Sequence, residues 1–272
     1  MLNNVTIIVK AFERPDSLVA LYQSIRKYYP KIPIVIVDDG KKPAPQHIFD
    51  VRTKYVRTEY NIGASAGRNL ALSHVETTYI VLVDDDFVFT EKTKLERMLD
   101  VLETTNIDIV SGVMYDFGKI RRRFAGCFDV VNGVFTLRPG ETFGESAGHK
   151  LYHIVLNFFM ARTETIRSVQ WDPELKTGEH KEFFIRTKKQ GITCTVLDDV
   201  SIYHYPEQHG DYVAFRSAAR EFEELAFKKH GIHKERIIEP VSVRSVCNGV
   251  KNFLRKSSLL VSFVHFVKRR LA

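Results

Sequence analysis

The chain has 272 residues, 44% of them hydrophobic and 27% charged, with a formal net charge of +7. That length suits one large α/β domain, or one domain with an appendage, and the composition is that of an ordinary globular protein. Solenoid repeats and low-complexity segments are absent, and no uncharged apolar stretch reaches the ~18 residues of a membrane-spanning helix.

Residues 5–9, Val-Thr-Ile-Ile-Val, predict a buried strand, with no leader before it. Pro15 opens a helix that carries Leu18, Leu21, Tyr22, Ile25 and Tyr29 on one side, and Pro30 ends it. Residues 34–37 form a second strand running into Asp38-Asp39-Gly40, and 54–58 a third. A small-residue loop from Asn61 to Gly67 feeds a helix over 68–74. The apolar run 80–83 is the fourth strand, and it ends in Asp84-Asp85-Asp86. Thr90 is placed to cap a helix bearing Leu95, Met98, Leu99 and Leu102, and 107–110 is a fifth strand. This alternation is the signature of a doubly wound sheet with helices on both faces.

Residues 115–150 lose the pattern and read as loops and hairpins lining a substrate site. Beyond them, 154–161 predicts a strand, 163–168 a short helix, and 179–190 a helix that Gly191 ends. Strands at 193–197 and 200–204 lead into His204-Tyr205-Pro206, and 211–230 predicts a long helix. The spacing divides the chain into an α/β domain over 1–235 and a basic, amphipathic helical segment over 236–272.

The aspartate triplet carries the first chemical signal. Ligands of open α/β sheets bind just beyond the carboxyl ends of the strands. Three adjacent carboxylates repel one another unless a cation neutralises them, and aspartate oxygens suit Mg²⁺ or Mn²⁺ bridging to phosphate. Asp38-Asp39-Gly40, at the end of another parallel strand, faces the same edge; it is either an ordinary Asp-Gly turn or the place where one carboxylate accepts from a nucleobase or ribose. Gly63, Gly67, Arg68 and Asn69 form a loop-to-helix junction where a diphosphate is favoured, with Arg68 a bidentate phosphate donor.

Glu179-His180-Lys181-Glu182 opens a helix, with Glu179 and Glu182 on nearly the same face. A carboxylate or imidazole there can remove a proton from an attacking hydroxyl. His204 is the nitrogen ligand the aspartates would want, with His209 competing for that role. Trp171, the only tryptophan, either stacks on a sugar face or fills a core pocket, and its neighbours favour the sugar.

Lys251, Arg255, Lys256, Lys268, Arg269 and Arg270 lie in the tail with no acidic residue among them. Over 250–271 they lie between or after apolar residues at helical spacing, as in a helix lying on an anionic membrane surface or docked on the domain. Nucleic acid is not an expected partner, because these charges sit in an apolar helix without a recognised binding motif. Cys127, Cys194 and Cys247 are far apart and odd in number, which reads as free thiols in a reducing compartment.

Taken in order, residues 6–14, Val37-Asp-Asp-Gly40, Asn61-x-Gly63 with Gly67-Arg-Asn69, the aspartate triplet and the Glu179 cluster resemble GT-A glycosyltransferases of family 2. Phe12-Glu-Arg-Pro-Asp-Ser-Leu18, Asp84-Asp-Asp-Phe-Val-Phe-Thr90, Asn157-Phe-Phe-Met-Ala-Arg162 and Gly178-Glu-His-Lys-Glu-Phe-Phe184 resemble the β-1,4-N-acetylgalactosaminyltransferases of the ganglioside GM2/GD2 synthase type. The resemblance implies a GT-A fold and an inverting transfer from UDP-GalNAc, or a related UDP-sugar, to a carbohydrate hydroxyl. A glycolipid, lipooligosaccharide or capsule glycan would be the acceptor.

By position, the resemblance gives Asp39 the uracil or ribose, Arg68 the nucleotide or its phosphates, Asp84 the ribose, and Asp86 with His204 the Mn²⁺ or Mg²⁺. Ala11, Arg14, Gly63 and Asp85 complete the nucleotide-binding set, and Trp171 and Asn157 the sugar site. Many relatives carry Glu-Asp where this chain has Glu179-His180, and there the Asp is the base. Glu179, His180 and Glu182 are therefore the candidates, with Glu179 favoured. Golgi members carry an anchor and stem before this region. Their lack here gives the expectation of a cytoplasmic enzyme, peripheral on the inner membrane face, with a trimmed Golgi-lumen domain as the alternative. A sugar-phosphate nucleotidyltransferase and a non-catalytic glycan- or membrane-binding module are the competing functions.

Overall fold

The computed structural model describes residues 2–206 and 219–239. Strands β1 (Val5–Ala11), β2 (Ile34–Asp38), β3 (Thr53–Arg57) and β4 (Tyr79–Asp84) are interleaved with helices α1 (Pro15–Tyr28) and α2 (Ala64–Ser73). The short β5 (Phe87–Val88), α3 (Leu95–Thr104) and β6 (Ile109–Asp116) follow. Hairpin strands come next: β7 (Ile120–Arg122), β8 (Ala125–Val131), β9 (Val134–Pro139), β10 (Gly144–Ser146), β11 (His149–Leu151) and β12 (Ile154–Val155). The chain continues through β13 (Phe159–Arg162), α4 (Thr163–Val169), α5 (His180–Lys189), β14 (Cys194–His204), α6 (Ala219–Lys229) and β15 (Lys234–Ile237).

The main sheet has the order β3-β2-β1-β4-β13-β6-β14-β5, with β7 added to β6. β1 to β4 run parallel, which puts the ends of β1, β2 and β4 on one edge. β13 inserts antiparallel between β4 and β6, so the doubly wound sheet is mixed. Its Phe159, Met160 and Ala161 are fully buried, which suits a central strand covered on both faces. β14 then runs parallel to β6 and brings His204 level with Asp116.

Each face of the sheet has its own core. Leu18, Leu21 and Ile25 of α1 pack with Met98 and Leu102 of α3 on one side. Ala71 and Leu72 of α2, Ile166 of α4, and Phe183 and Phe184 of α5 pack on the other.

Several boundaries differ from the sequence reading. α2 starts at Ala64, because Gly63 at φ +96° turns the chain into the helix before Arg68. Thr90 does not cap α3; its hydroxyl accepts from Lys92 N–H at 3.1 Å and closes a turn ahead of the helix, whose N-cap is Lys94. The expected strand over 154–161 is two strands, β12 and β13, separated by residues 156–158. The two strands expected at 193–204 are one, with a register shift between Val196 and Ser201. No described helix is long and apolar enough to cross a membrane. His209, the first part of the expected 211–230 helix and the basic tail lie outside the described residues.

Candidate active site

The carboxyl ends of β1 and β4, the start of α2 and the start of α5 converge on an open cleft of about 400 Å³. Its walls include Lys10, Arg14, Arg68, Asp84, Asp86, Asn157, Glu179, His180 and His204. Eight of the fourteen residues singled out from the sequence as site residues therefore share one cavity. Ala11, Asp39, Gly63, Trp171, Asp85 and Glu182 do not line it.

The aspartate triplet divides three ways. Asp84 is part-exposed and accepts from Arg68 at 2.9 Å. Asp85 is fully buried, accepts from the Phe12 N–H at 3.1 Å and pairs with the Arg14 guanidinium. Burial pushes the Asp85 carboxyl up, against the pull of Arg14. Asp86 pairs with the other side of Arg14, and its Oδ2 lies 3.4 Å from His204 Nε2. Burial acts upward on Asp86, but its hydrogen bond with His204 and the charge of Arg14 hold its pKa below the usual carboxylate range. Arg14 is thus the internal counter-cation of two of the three carboxylates.

His204 is oriented from behind. Its Nδ1 is 2.8 Å from Asp116 Oδ1, which leaves Nε2 turned to Asp86. Burial acts downward on His204, but the Asp86 and Asp116 carboxylates raise its pKa. A carboxylate behind a histidine is the usual arrangement that orients a metal-ligating imidazole. Among the described residues no three His, Cys, Asp or Glu side chains enclose a metal. Asp86 Oδ2, which also pairs with Arg14, and His204 Nε2 are donors of the kind that would hold a hard divalent ion.

Asp39 lies away from the cleft wall. It is completely buried, with Oδ1 2.5 Å from Lys10 Nζ and Oδ2 accepting from the Gly63 N–H at 3.0 Å. The expected contact of Asp39 with a nucleobase gives way to a structural one: it ties β1 to the loop before α2. Lys10 faces the cleft in its place, and burial lowers its pKa against the raising pull of Asp39. Gly67 makes room for it, since a Cβ there would sit 2.6 Å from Lys10 Cγ. Gly63 likewise packs against the chain, and its missing Cβ would fall 2.5 Å from Lys176 Cα. Ala11 contributes its carbonyl, which accepts from the Asp39 N–H at 3.3 Å.

Arg68 is buried and bridges the two halves of the cleft, bonding Glu179 on one side and Asp84 on the other. Burial acts upward on Glu179, but the Arg68 charge keeps its pKa below the ordinary value. A carboxylate in that state is a weak proton acceptor. His180, next to it, lines the cleft, and its Nε2 is 2.7 Å from the Val155 carbonyl oxygen. A carbonyl can only accept, so Nε2 carries the proton, and in the neutral ring Nδ1 keeps its lone pair. Burial lowers the His180 pKa, which favours that neutral ring.

Glu182 and Trp171 depart from expectation. Glu182 is buried and turned into the protein, held by Arg186 at 2.6 Å and His230 at 3.1 Å, so it cannot reach an acceptor hydroxyl. Trp171 is 2% exposed, with Phe183 stacked 4.9 Å away and the Arg68 guanidinium 5.8 Å from its ring. It supports the site from the core, and a sugar has no access to it. Asn69 fixes its backbone by a reciprocal pair, donating to the Trp171 carbonyl at 2.7 Å and accepting from its N–H at 2.9 Å.

Lys10 and Asp116 are the site residues that the sequence reading missed. A lysine inside the apolar run of β1 was the available signal for Lys10, since a charge near the end of a buried strand needs a partner. Asp116 gave none, because its pairing with His204 depends on the register of β6 and β14.

Comparison with known proteins gives the family and the fold. Residues 6–167 match the model of glycosyl transferase family 2. Mouse (Mus musculus) beta-1,4 N-acetylgalactosaminyltransferase 2 is 41% identical over 67% of this chain and 36% of its own length. Mouse beta-1,4 N-acetylgalactosaminyltransferase 1 is 40% identical over 66% of this chain and 35% of its own length. The chain therefore spans about a third of the length of these relatives. The crystal structure of S. aureus TarS 1-349 in complex with UDP-GlcNAc superposes with a TM-score of 0.58 at 17% identity, covering 82% of this chain and 65% of that one. That likeness shows the fold, which is GT-A. On the motif order, the sheet topology and the family match together, the chain belongs to glycosyltransferase family 2.

Proposed function

We propose that this protein transfers a sugar, GalNAc foremost, from a UDP-sugar to a hydroxyl of a carbohydrate acceptor, with inversion at the sugar carbon. The observation that carries the reading is the single cleft that joins Asp84, Asp86, Arg68, His180 and His204 at the carboxyl edge of the parallel strands. The N-acetylgalactosaminyltransferase names of the relatives and the UDP-GlcNAc of the TarS complex support a UDP-linked N-acetylhexosamine.

In this reading Lys10 and Arg68 supply positive charge beside the diphosphate, and Asp84 accepts from the ribose. Asp86 and His204 would hold Mn²⁺ or Mg²⁺, which when bound acts as a Lewis acid toward the departing UDP. Asp116 keeps the His204 ring in the ligating orientation. Inversion requires one base on the acceptor side and no covalent intermediate. His180 takes that role at Nδ1: it removes the proton of the acceptor hydroxyl as the oxygen attacks the sugar carbon. Glu179 holds Arg68 in place.

The apolar residues over 250–271, flanked by basic ones, support a contact with an anionic membrane surface, where a glycolipid acceptor would reside. The function is tested by UDP release from a panel of UDP-sugars with octyl glycoside acceptors, in Mn²⁺ and in chelator. UDP release that needs both metal and acceptor, and that Asp86→Asn abolishes, is the expected result. Pyrophosphate release from UTP and a sugar phosphate would instead identify a nucleotidyltransferase.

A further inference from the structure

Arg14 is the N-cap of α1, and the backbone on either side fixes its place. Its carbonyl accepts from the Leu18 N–H at 3.0 Å, in the first turn of the helix. Ahead of it, Glu13 is held at φ 56°, in the left-handed region that residues with a side chain rarely adopt. Gly40 leaves room for that turn, since a Cβ there would lie 2.8 Å from the Glu13 nitrogen. Backbone strain of this kind clusters at functional sites. Here the residue that follows it presents a guanidinium to the cleft.

The two arms of that guanidinium differ. Nη2 pairs with Asp85 Oδ1, and Asp85 is fully buried, with its other oxygen accepting from the Phe12 N–H. A buried carboxylate deprived of its counter-charge is strongly destabilising, so this arm is the anchor. Nη1 pairs with Asp86 Oδ2 at the cleft wall. That same Oδ2 lies 3.4 Å from His204 Nε2. A carboxylate oxygen offers about two lone-pair sites, and Arg14 and His204 engage both.

The carboxylate assigned to a divalent ion is thus already occupied by a cation of the protein's own. A guanidinium bound there takes the oxygen and also repels a second cation. A diphosphate changes this balance. Phosphate oxygens are favoured partners of a guanidinium, and Arg14 lines the same cleft as Lys10 and Arg68. Nη1 can then exchange Asp86 for a phosphate oxygen while Nη2 stays on Asp85.

We propose that Arg14 competes with the divalent ion for Asp86, so that the empty cleft binds metal weakly and the metal enters together with a nucleotide diphosphate. This rests on reading Asp86 and His204 as the metal pair of a UDP-sugar site. The experiment measures metal binding, and sugar transfer is judged separately by UDP release, so either can fail alone. Mn²⁺ binding is followed by electron paramagnetic resonance, with and without saturating UDP, for the wild type and for Arg14→Met combined with Asp85→Asn. The two substitutions remove one positive and one negative charge, so the net charge beside Asp86 is unchanged and only the competitor is lost. Binding that Asp86→Asn removes is counted as the site.

Without UDP, the double variant should bind Mn²⁺ about tenfold or more tighter than the wild type. UDP should strengthen Mn²⁺ binding about tenfold or more in the wild type, and by a smaller factor in the variant. Equal or weaker binding by the variant without UDP, or an equal strengthening by UDP, would overturn the competitor and leave the metal pair standing. Binding by neither protein, with or without UDP, would overturn the competitor and the metal pair together. Should the double variant fail to fold, Arg14→Lys decides. Lysine keeps the charge but as a single point that cannot hold Asp85 and Asp86 at once. It should bind Mn²⁺ about threefold or more tighter than the wild type without UDP, and an unchanged affinity would overturn the competitor.

Discussion

The Arg68 guanidinium is bound to the Glu179 carboxylate inside the protein, with the two side chains 6% and 8% exposed. One arm of the same guanidinium reaches Asp84 in the cleft. Glu179 is thus the anchor of a cation that faces the cleft, and its charge is already committed.

Removing one partner of a buried pair strands the other charge. Glu179→Ala should lose about 3–5 kcal/mol of stability, read by denaturant unfolding. With the milder Glu179→Gln, the KM for UDP-sugar should rise more than kcat falls. A large loss of kcat at unchanged KM would return Glu179 to the role of base.

His180→Asn should behave in the opposite way. Its kcat should fall about 10²- to 10⁴-fold while the donor KM changes little. The wild-type rate should decline on the acid side as the imidazole gains its proton. Because burial lowers the His180 pKa, that decline belongs below the ordinary histidine value of about 6.5. The acid limb should be missing from the residual activity of the variant.

Asp116→Asn tests the support behind His204. Such partners of a ligating histidine contribute about 10- to 100-fold in metal affinity. The Mn²⁺ concentration for half-maximal UDP release should rise by that factor, and saturating Mn²⁺ should recover most of the rate. A variant with unaltered metal dependence would place His204 outside the metal site.

Stability should depend on pH through His153. Burial, helped by the Lys188 charge, lowers its pKa to about 4. Its Nδ1 accepts from the Phe128 N–H at 3.2 Å, which requires the neutral ring. An unfolded chain takes up this proton near pH 6.5, roughly the ordinary value, and the folded chain only near 4. The contribution is therefore present above pH 6.5 and is lost as pH falls toward 4. The unfolding midpoint should drop across that window, and His153→Asn, which keeps an acceptor without a titrating ring, should flatten the drop.

Much of the fold was legible because its strands are short apolar runs that end in charge. Residues 80–86 gave both β4 and the triplet, and Gly191 at φ +74° stands just past α5 as its residue type suggests. The antiparallel insertion of β13 was not legible, since an apolar run such as Phe159–Arg162 has no direction written into it. The same limit governed the site. Residue types placed Asp86, Arg68 and His204 in a cleft, but which way a side chain turns depends on its partners. Glu182 and His180 are two residues apart on α5, and one turns to Arg186 while the other lines the cleft. Trp171 went to the core for a similar reason, because Phe183 and Arg68 both stand ready to cover its ring.

The central claim is inverting sugar transfer from a UDP-sugar, and the product tests it most directly. The protein is incubated with UDP-GalNAc, Mn²⁺ and the octyl glycosides, and the product is characterised by mass spectrometry and NMR. The account predicts a glycoside extended by one N-acetylgalactosamine in β linkage, formed by the wild type and not by Asp86→Asn. An α-linked product, or UDP-sugars left intact with every acceptor while a sugar linked to another nucleotide is consumed, would contradict it.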